Sequence, residues 1–452
     1  MARAPQSVLF EEVLARSIQV EFDGHQHTSD AGALLFGKLD RRIGLTARLA
    51  ATLTDSRDPH RTTHAMEQLV RQRVFQIALG YPDCNDGNHL RTDPTLKALV
   101  GRQPVAGNAL ASQPTLSRFE NAPSARDLIA FANELEHAVV DLVHQRHPNA
   151  RHVTIDLDPT LDRTHGKQQL TFFNGHYDDY CYLPLLGFLT VDDDPQHFLV
   201  AARLRAGRAS ATKNARPILR HLVERLRAKF PGVRILVRLD GGFATPRLLQ
   251  MLDELEVDYV VGMPKNTVLC GQIAASLEDV RTRAQSTQQT QQSFCAFEYE
   301  AGSWAKPRRI VAKVEATVQP GRDVRDNPRF VVTNLVDGAE RVYEVYRGRG
   351  DIENAIKELQ LSLELDRTSC SRFLANQLRV LLTATAFALY QQFRLYLADT
   401  ELERAQIWRL REVLFKIGAV VIESVRRVLF RLPQSYPSRE LWCTIASRLA
   451  LS

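Results

Sequence analysis

His152-Val-Thr-Ile-Asp-Leu-Asp-Pro-Thr160 decides the fold, because the hydrophobic period changes there. Upstream, apolar residues recur at three and four positions; here Val153, Ile155 and Leu157 alternate with Thr154, Asp156 and Asp158. That is the period of a half-buried strand with both carboxylates on one face. Strand-like runs around 182–191 and 198–204 follow, as in an antiparallel meander. A basic amphipathic helix over 214–230 leads through Pro231-Gly232 into a buried strand, Ile235-Leu-Val-Arg-Leu239, that ends at Asp240-Gly-Gly242. A helix over 246–255 and a strand over 259–262 complete a βαβ-like unit, so the centre of the chain reads as α/β.

Working outward, residues 1–30 read as short strands broken by turn signals at Asp23-Gly24 and Ser29-Asp30. From Asp30 to about Leu142 the pattern is helical, with Met66, Leu69, Val70, Val74 and Ile77 on one stripe and Gly80-Tyr81-Pro82 as its stop. A short helix is expected after Ala111-Ser-Gln-Pro114; it fits either a DNA groove or a plain bundle. Residues 266–329 read as an insertion of short β pieces with a flexible Gln-rich loop, Gln285-Ser-Thr-Gln-Gln-Thr-Gln-Gln292. Strand returns at Phe330–Thr333, and a helix is expected within 343–363 and another near 372–397. The Arg-rich segment 418–432 fits strand or helix.

The chain has 452 residues, 44% hydrophobic and 24% charged, which excludes wholesale disorder and predicts two or three structural units. Net charge is only +6, but residues 201–238 carry eleven basic residues against one acidic, and 367–452 carry thirteen against six. Such concentrations point to a polyanionic partner, with solvated helix faces as the plain alternative. Six scattered cysteines without a CxxC pair argue against zinc ribbons and disulfide frameworks, and fit a reduced cytoplasmic protein. The first residues lack the apolar core of a signal peptide, and the most apolar stretch, Val380 to Tyr390, is too short to span a bilayer, so no membrane association is expected.

Three carboxylates stand where a strand ends or a helix begins: Asp158, Asp240 and Glu353. Singly, each is more often a turn or cap residue. Together they fit phosphodiester chemistry, in which two hard divalent ions held by carboxylates stabilise the attacking and leaving oxygens. The basic 201–238 segment lies between the first two and could contact phosphates. In Tyr346-Arg-Gly-Arg-Gly-Asp-Ile-Glu-Asn-Ala-Ile-Lys-Glu-Leu-Gln360, Ile352, Ile356 and Leu359 form the apolar stripe of a helix. Glu353, Lys357 and Gln360 share another face, as a phosphate-facing surface or as a plain i,i+4 surface pair.

These pieces, with His165-Gly-Lys-Gln-Gln169, Phe172-Phe-Asn-Gly-His-Tyr177, Tyr180-Cys-Tyr-Leu-Pro-Leu185, Asp258-Tyr-Val-Val-Gly262 and Asp366-Arg-Thr-Ser-Cys370 followed by Asn376-Gln377, resemble the DDE transposases of bacterial insertion sequences. The likeness falls within the superfamily numbered four and the group numbered thirteen-eighty. It runs from about residue 20 to 440 and includes Thr28-Ser-Asp-Ala-Gly32, Gly80-Tyr-Pro-Asp83 and Ser117-Arg-Phe-Glu120. It implies an RNase H-like catalytic core interrupted by a β-rich insertion, a mostly helical N-terminal region and a basic C-terminal tail. The expected division is 1–150 for DNA binding, 151–265 and 330–400 for the core, 266–329 for the insertion and 401–452 for the tail. It further implies Mg²⁺, with Mn²⁺ as the expected substitute, and cleavage of transposon ends followed by joining of the 3′-OH to target DNA, with a homodimer in the active complex. Carried over residue by residue, Asp158, Asp240 and Glu353 are the metal-binding catalytic triad, with Asp156 as the alternative first ligand. Tyr346, Arg349, Lys357 and Gln360 are the expected DNA-contacting residues. Gln360 stands where the wider superfamily has Lys, with Lys357 as the candidate substitute, and Asp-Gly-Gly242 stands where Asp-Ser-Gly is commoner.

Two rivals remain at this level. A DxDxT run after an apolar strand is also the nucleophile motif of haloacid dehalogenase-like phosphatases, with Asp156 attacking phosphate. A transposase descendant that only binds DNA would keep the same sequence without assembling the site.

Overall fold

The computed structural model describes residues 26–451 and the backbone of two short paired strands, Val8–Phe10 and Ile18–Val20. The turn expected at Asp23-Gly24 lies outside the described residues. The chain divides into two compact units. One gathers the described residues up to Ala51 with 55–119 and 392–452; the other comprises 52–54 and 120–391.

The larger unit is built on a sheet that holds, among the described residues, nine strands: β1 (His152–Pro159), β2 (Leu185–Val191), β3 (Phe198–Arg203), β4 (Arg234–Leu239), β5 (Asp258–Met263), β6 (Gln291–Tyr299), β7 (Arg308–Thr317), β8 (Arg325–Asp326) and β9 (Arg329–Thr333). Their order is β6-β7-β9-β5-β4-β1-β2-β3, with β8 paired to β7. β1, β4 and β5 are mutually parallel, joined by the crossover helices Ala215–Lys229 and Pro246–Glu254; the other pairs are antiparallel. Val153, Ile155 and Leu157 are completely buried, as the alternation in the sequence requires.

The meander forms as β2 and β3, but Tyr182 belongs to a separate small sheet with Asp162–Arg163 and Phe172–Asn174. The segment 266–329 extends the central sheet beyond β5, because β9 pairs with both β5 and β7. The Gln-rich run is not a loop throughout. It closes the helix Ala274–Thr287, turns at Gln288 in the left-handed region (φ 52°), and enters β6 at Gln291. As the outermost strand, β6 leaves one face to water, so polar Gln and Ser there cost little.

The opposite edge strand, β3, would present unpaired backbone groups. Helix Phe373–Phe393 covers it. The Gln377 and Gln391 carbonyl oxygens accept from the Leu204 and Leu199 N–H at 2.8 and 3.1 Å, and their amide nitrogens donate to Ala202 O and His197 O. Residues 373–397 are apolar and long enough to cross a membrane, but 89% of their most apolar window is buried inside the protein, as in a core helix.

In the smaller unit, the helix Met66–Ala78 stops at Gly80, whose φ of +88° favours glycine. Phe36, Phe393 and Phe415 pack in tilted and edge-to-face contacts with ring centroids 4.6–5.3 Å apart. Asp30 receives Lys416 Nζ at 2.6 Å and the Tyr81 hydroxyl at 2.7 Å, and Gly32 lies against the Leu414 carbonyl where no Cβ would fit. The Thr28–Gly32 and Gly80–Asp83 motifs are therefore packing devices of this unit. The ambiguous 418–432 segment is a hairpin, Ala419–Glu423 with Val428–Arg431.

Candidate active site

Parallel pairing of β1 with β4 sets Asp156 opposite Arg238 and Leu157 opposite Leu239. Asp158, still paired with Leu186 of β2, and Asp240, the first residue past β4, therefore stand side by side immediately after that last pair. Asp240 caps the short turn Gly241–Phe243, its Oδ1 accepting from the Gly242 N–H at 2.8 Å. This turn packs closely on β5. A Cβ at Gly262 would stand 2.7 Å from the Gly241 nitrogen and 2.6 Å from the Tyr346 hydroxyl, so only glycine lets both approach.

Glu353 arrives from the other side of the sequence. Helix Ala339–Arg347 and the turn Gly348–Asp351 deliver the signature helix Ile352–Leu363, which buries Ile352, Ile356 and Leu359 and exposes Glu353 and Lys357. The apolar stripe is the one the sequence predicts. The charge of Glu353 is felt at Asp158.

Asp158 is the electrostatic focus. Arg349 donates from Nη1 to its Oδ1 at 3.2 Å. Burial pushes the Asp158 carboxyl up to about 7; Arg349 opposes this, while the negative charges of Asp240, Glu353 and Asp156 add to it. Tyr177 feels the same field: burial first, then Asp158 and Asp240, push its hydroxyl upward. Tyr346 interacts with Arg349 and is likewise raised, chiefly by burial.

Asp156 has a different role. It is fully buried, and Arg238 grips both its oxygens, Nε to Oδ1 at 2.9 Å and Nη2 to Oδ2 at 2.7 Å. The same guanidinium donates to the Val345 carbonyl at 3.2 Å, tying β1 and β4 to the helix ahead of the signature. A fully buried carboxylate gripped at both oxygens is not presented to a substrate phosphate. The phosphatase reading loses its nucleophile here.

Gln360 is also committed to structure. Its Nε2 donates to Thr160 Oγ1 at 2.8 Å and to the Leu161 carbonyl at 3.1 Å, pinning the signature helix to the exit of β1. Just beyond, the Thr368 hydroxyl bonds Asp162 at 2.9 Å, and Asn376 brackets Cys370, accepting from its N–H and donating to its carbonyl. Reading the sequence alone misses Arg238, Gly262 and the Asp162–Thr368 pair as site supports. For Arg238 a signal existed: an arginine inside a buried apolar strand demands a carboxylate partner.

Among the described residues no three His, Cys, Asp or Glu side chains converge to hold a metal ion as they stand. The donor set nonetheless fits a hard divalent cation: the carboxylates of Asp240 and Glu353, on separate elements, raise the proton affinity of Asp158, and a guanidinium is already drawn onto Asp158.

Over residues 10–452 the chain matches the family described as transposase DDE domain group 1. It belongs to that family, whose members are transposases, enzymes that act on DNA. Comparison with curated proteins finds no match.

Proposed function

We propose that this chain is the transposase of a bacterial insertion sequence, of the group numbered thirteen-eighty within the superfamily numbered four. It cleaves transposon ends and joins the freed 3′-OH to target DNA by two-metal phosphoryl transfer, in the cytoplasm and as a homodimer while two ends are paired. The order β3-β2-β1-β4-β5 with β1, β4 and β5 parallel supports an RNase H-like core, and the sheet extension through β6, β7 and β9 supports reading 266–329 as a β-rich insertion. DNA binding outside the core falls to the unit holding the N-terminal helices and the basic residues 401–452.

The single observation that carries the reading is the emergence of Asp158 and Asp240 from adjacent parallel strands, with the charge of Glu353 felt at Asp158. Asp158, Asp240 and Glu353 would hold Mg²⁺, or Mn²⁺ in its place, which supplies Lewis-acid stabilisation of the attacking and leaving oxygens. Asp156 is the structural partner of Arg238 and not the first ligand. Arg349 offsets the negative charge of Asp158 and, with Tyr346, orients the DNA end; Lys357 faces the phosphates from the exposed face of the signature helix. Gln360 fixes that helix against the exit of β1.

The test is incubation with a plasmid carrying the gene and its flanking DNA, with and without Mg²⁺, beside the Asp240→Ala protein. Metal-dependent nicks at both borders, absent in the variant, are expected. DNA binding without cutting by the wild type would instead identify a descendant that only binds.

A further inference from the structure

The basic segment 201–238 does not act as a block. Among the described residues, seven of its eleven cations are engaged internally. Arg205 donates to carbonyls of Leu183, Ser210, Ala211 and Lys213. Arg203 reaches Asn133, Arg225 pairs with Glu136, Lys229 with Asp141, Arg234 with Asp258 and Arg238 with Asp156; Arg227 donates to Leu255 and Glu256 carbonyls. The rest are exposed. Arg208 lies over the Phe172 ring at 5.2 Å, and the side chains of Lys213, Arg216 and Arg220 make no hydrogen bond or ion pair among the described residues. Arg247, from outside the segment, is equally exposed and unengaged.

These leftover cations are gathered by the fold. Arg216, Arg220 and Arg247 line one groove of about 560 Å³ between helices Ala215–Lys229 and Pro246–Glu254. Both helices begin at the edge where β4 ends, so their N-terminal turns, each with a positive dipole end, face the same way as Asp240. The loop before the first helix touches the Asp240 turn: a Cβ on Gly242 would stand 2.9 Å from the Ala211 Cβ. Glu224 and Glu254 line the groove farther along their helices, so positive charge is concentrated at the catalytic end.

We infer that Lys213, Arg216, Arg220 and Arg247 form a phosphate-backbone track for duplex DNA, beginning beside Asp240 and running onto the helix layer. The inference rests on the transposase reading and adds the surface that positions the duplex beyond the cleaved bond. Exposed, unpaired, closely spaced cations on rigid helices fit a repeating phosphodiester. They read charge, not base sequence.

The test measures binding of the full chain to a duplex of its own border and to an unrelated duplex, by fluorescence anisotropy between about 50 and 200 mM salt. The triple variant Arg216→Gln/Arg220→Gln/Arg247→Gln should bind both duplexes about tenfold or more weakly, and flatten the slope of log affinity against log salt by about 2.7. Adding Lys213→Gln should remove about 0.9 more. Arg234→Gln, at an exposed but paired arginine, should leave the slope unchanged, and so should Asp240→Ala while abolishing cleavage. Wild-type binding and cutting with an unaltered slope in the triple variant, its melting temperature unchanged, would overturn the track and leave the transposase reading standing. A wild type with no salt-dependent DNA binding would overturn both.

Discussion

Carboxylates of similar burial meet opposite fates at the two sides of the central sheet. Beside β7, the Asp253 and Glu315 side chains are 22% and 12% exposed; at the end of β1, Asp158 is 16% exposed. Burial pushes all three upward. For Asp253, hydrogen bonds and charge from Arg308 and Lys306 win, and for Glu315 those from Lys313 and Asn327 win, so both are held below the ordinary carboxylate range. For Asp158 a single arginine faces three like charges, and the carboxyl is driven up to about 7. Where charge builds the fold it is matched partner to partner. Where it is left unmatched, the missing positive charge is one that a ligand can supply.

The sharpest way to break this contrast is to neutralise one carboxylate on each side. Asp240→Ala should cut Mg²⁺-dependent border cleavage by about 10³-fold or more, whereas Asp253→Ala should leave cleavage intact and lower only the melting temperature. Equal losses of activity would erase the distinction.

Next in size is the buried pair. Asp156→Ala strands Arg238 without its partner and should cost about 3–5 kcal/mol in urea unfolding, with most of it recovered by Asp156→Leu combined with Arg238→Met. If the single variant unfolds like wild type yet loses cleavage, Asp156 belongs to the chemistry after all. Gly262→Ala pushes on both the Asp240 turn and Tyr346, so a cleavage loss of about 10- to 100-fold is expected with little change in DNA affinity.

A pH series extends the comparison. Asp162 is fully buried, and burial, helped by Asp366 and opposed by the Thr368 hydroxyl, raises its carboxyl to about 8. The folded state thus holds this proton more tightly than the unfolded chain. Its stabilising contribution is complete below a pH of about 4 and is lost as pH climbs through about 8. Asp253 has the opposite sign: its folded value is lowered, so its contribution is present above the unfolded value and lost as pH falls. Asp162→Asn should flatten the decline of the melting temperature on the alkaline side; identical slopes in both proteins would count against the assignment. The smallest effect is expected from Gln360→Ala, about 1 kcal/mol for the lost amide hydrogen bonds, read by denaturant midpoint.

Much of the site was legible beforehand for physical reasons. The period-two run at 152–158 and the apolar run 235–239 between Pro231-Gly232 and Asp240-Gly-Gly242 read as strands. The Ile352, Ile356 and Leu359 stripe oriented the signature helix with Glu353 outward. The Gln-rich run misled because polar composition alone does not distinguish a loop from an edge strand with one wet face. Nothing local to 266–329 specifies the pairing of its strand β7 with β9, and through it the link to β5.

The chain order of strands, helices and strand-end acids follows from local periodicity and turn chemistry, which act over a few residues. Which acid is saturated and which is left open depends on partners far away in sequence. Arg238 reaches Asp156 across 82 positions and Arg349 reaches Asp158 across 191. The same holds for the basic segment, whose arginines look alike in sequence until strand order and helix packing consume most of them and leave Arg216 and Arg220 facing water. Strand register and helix docking decide those pairings, because an ion pair requires a few ångströms of separation that only the assembled sheet provides.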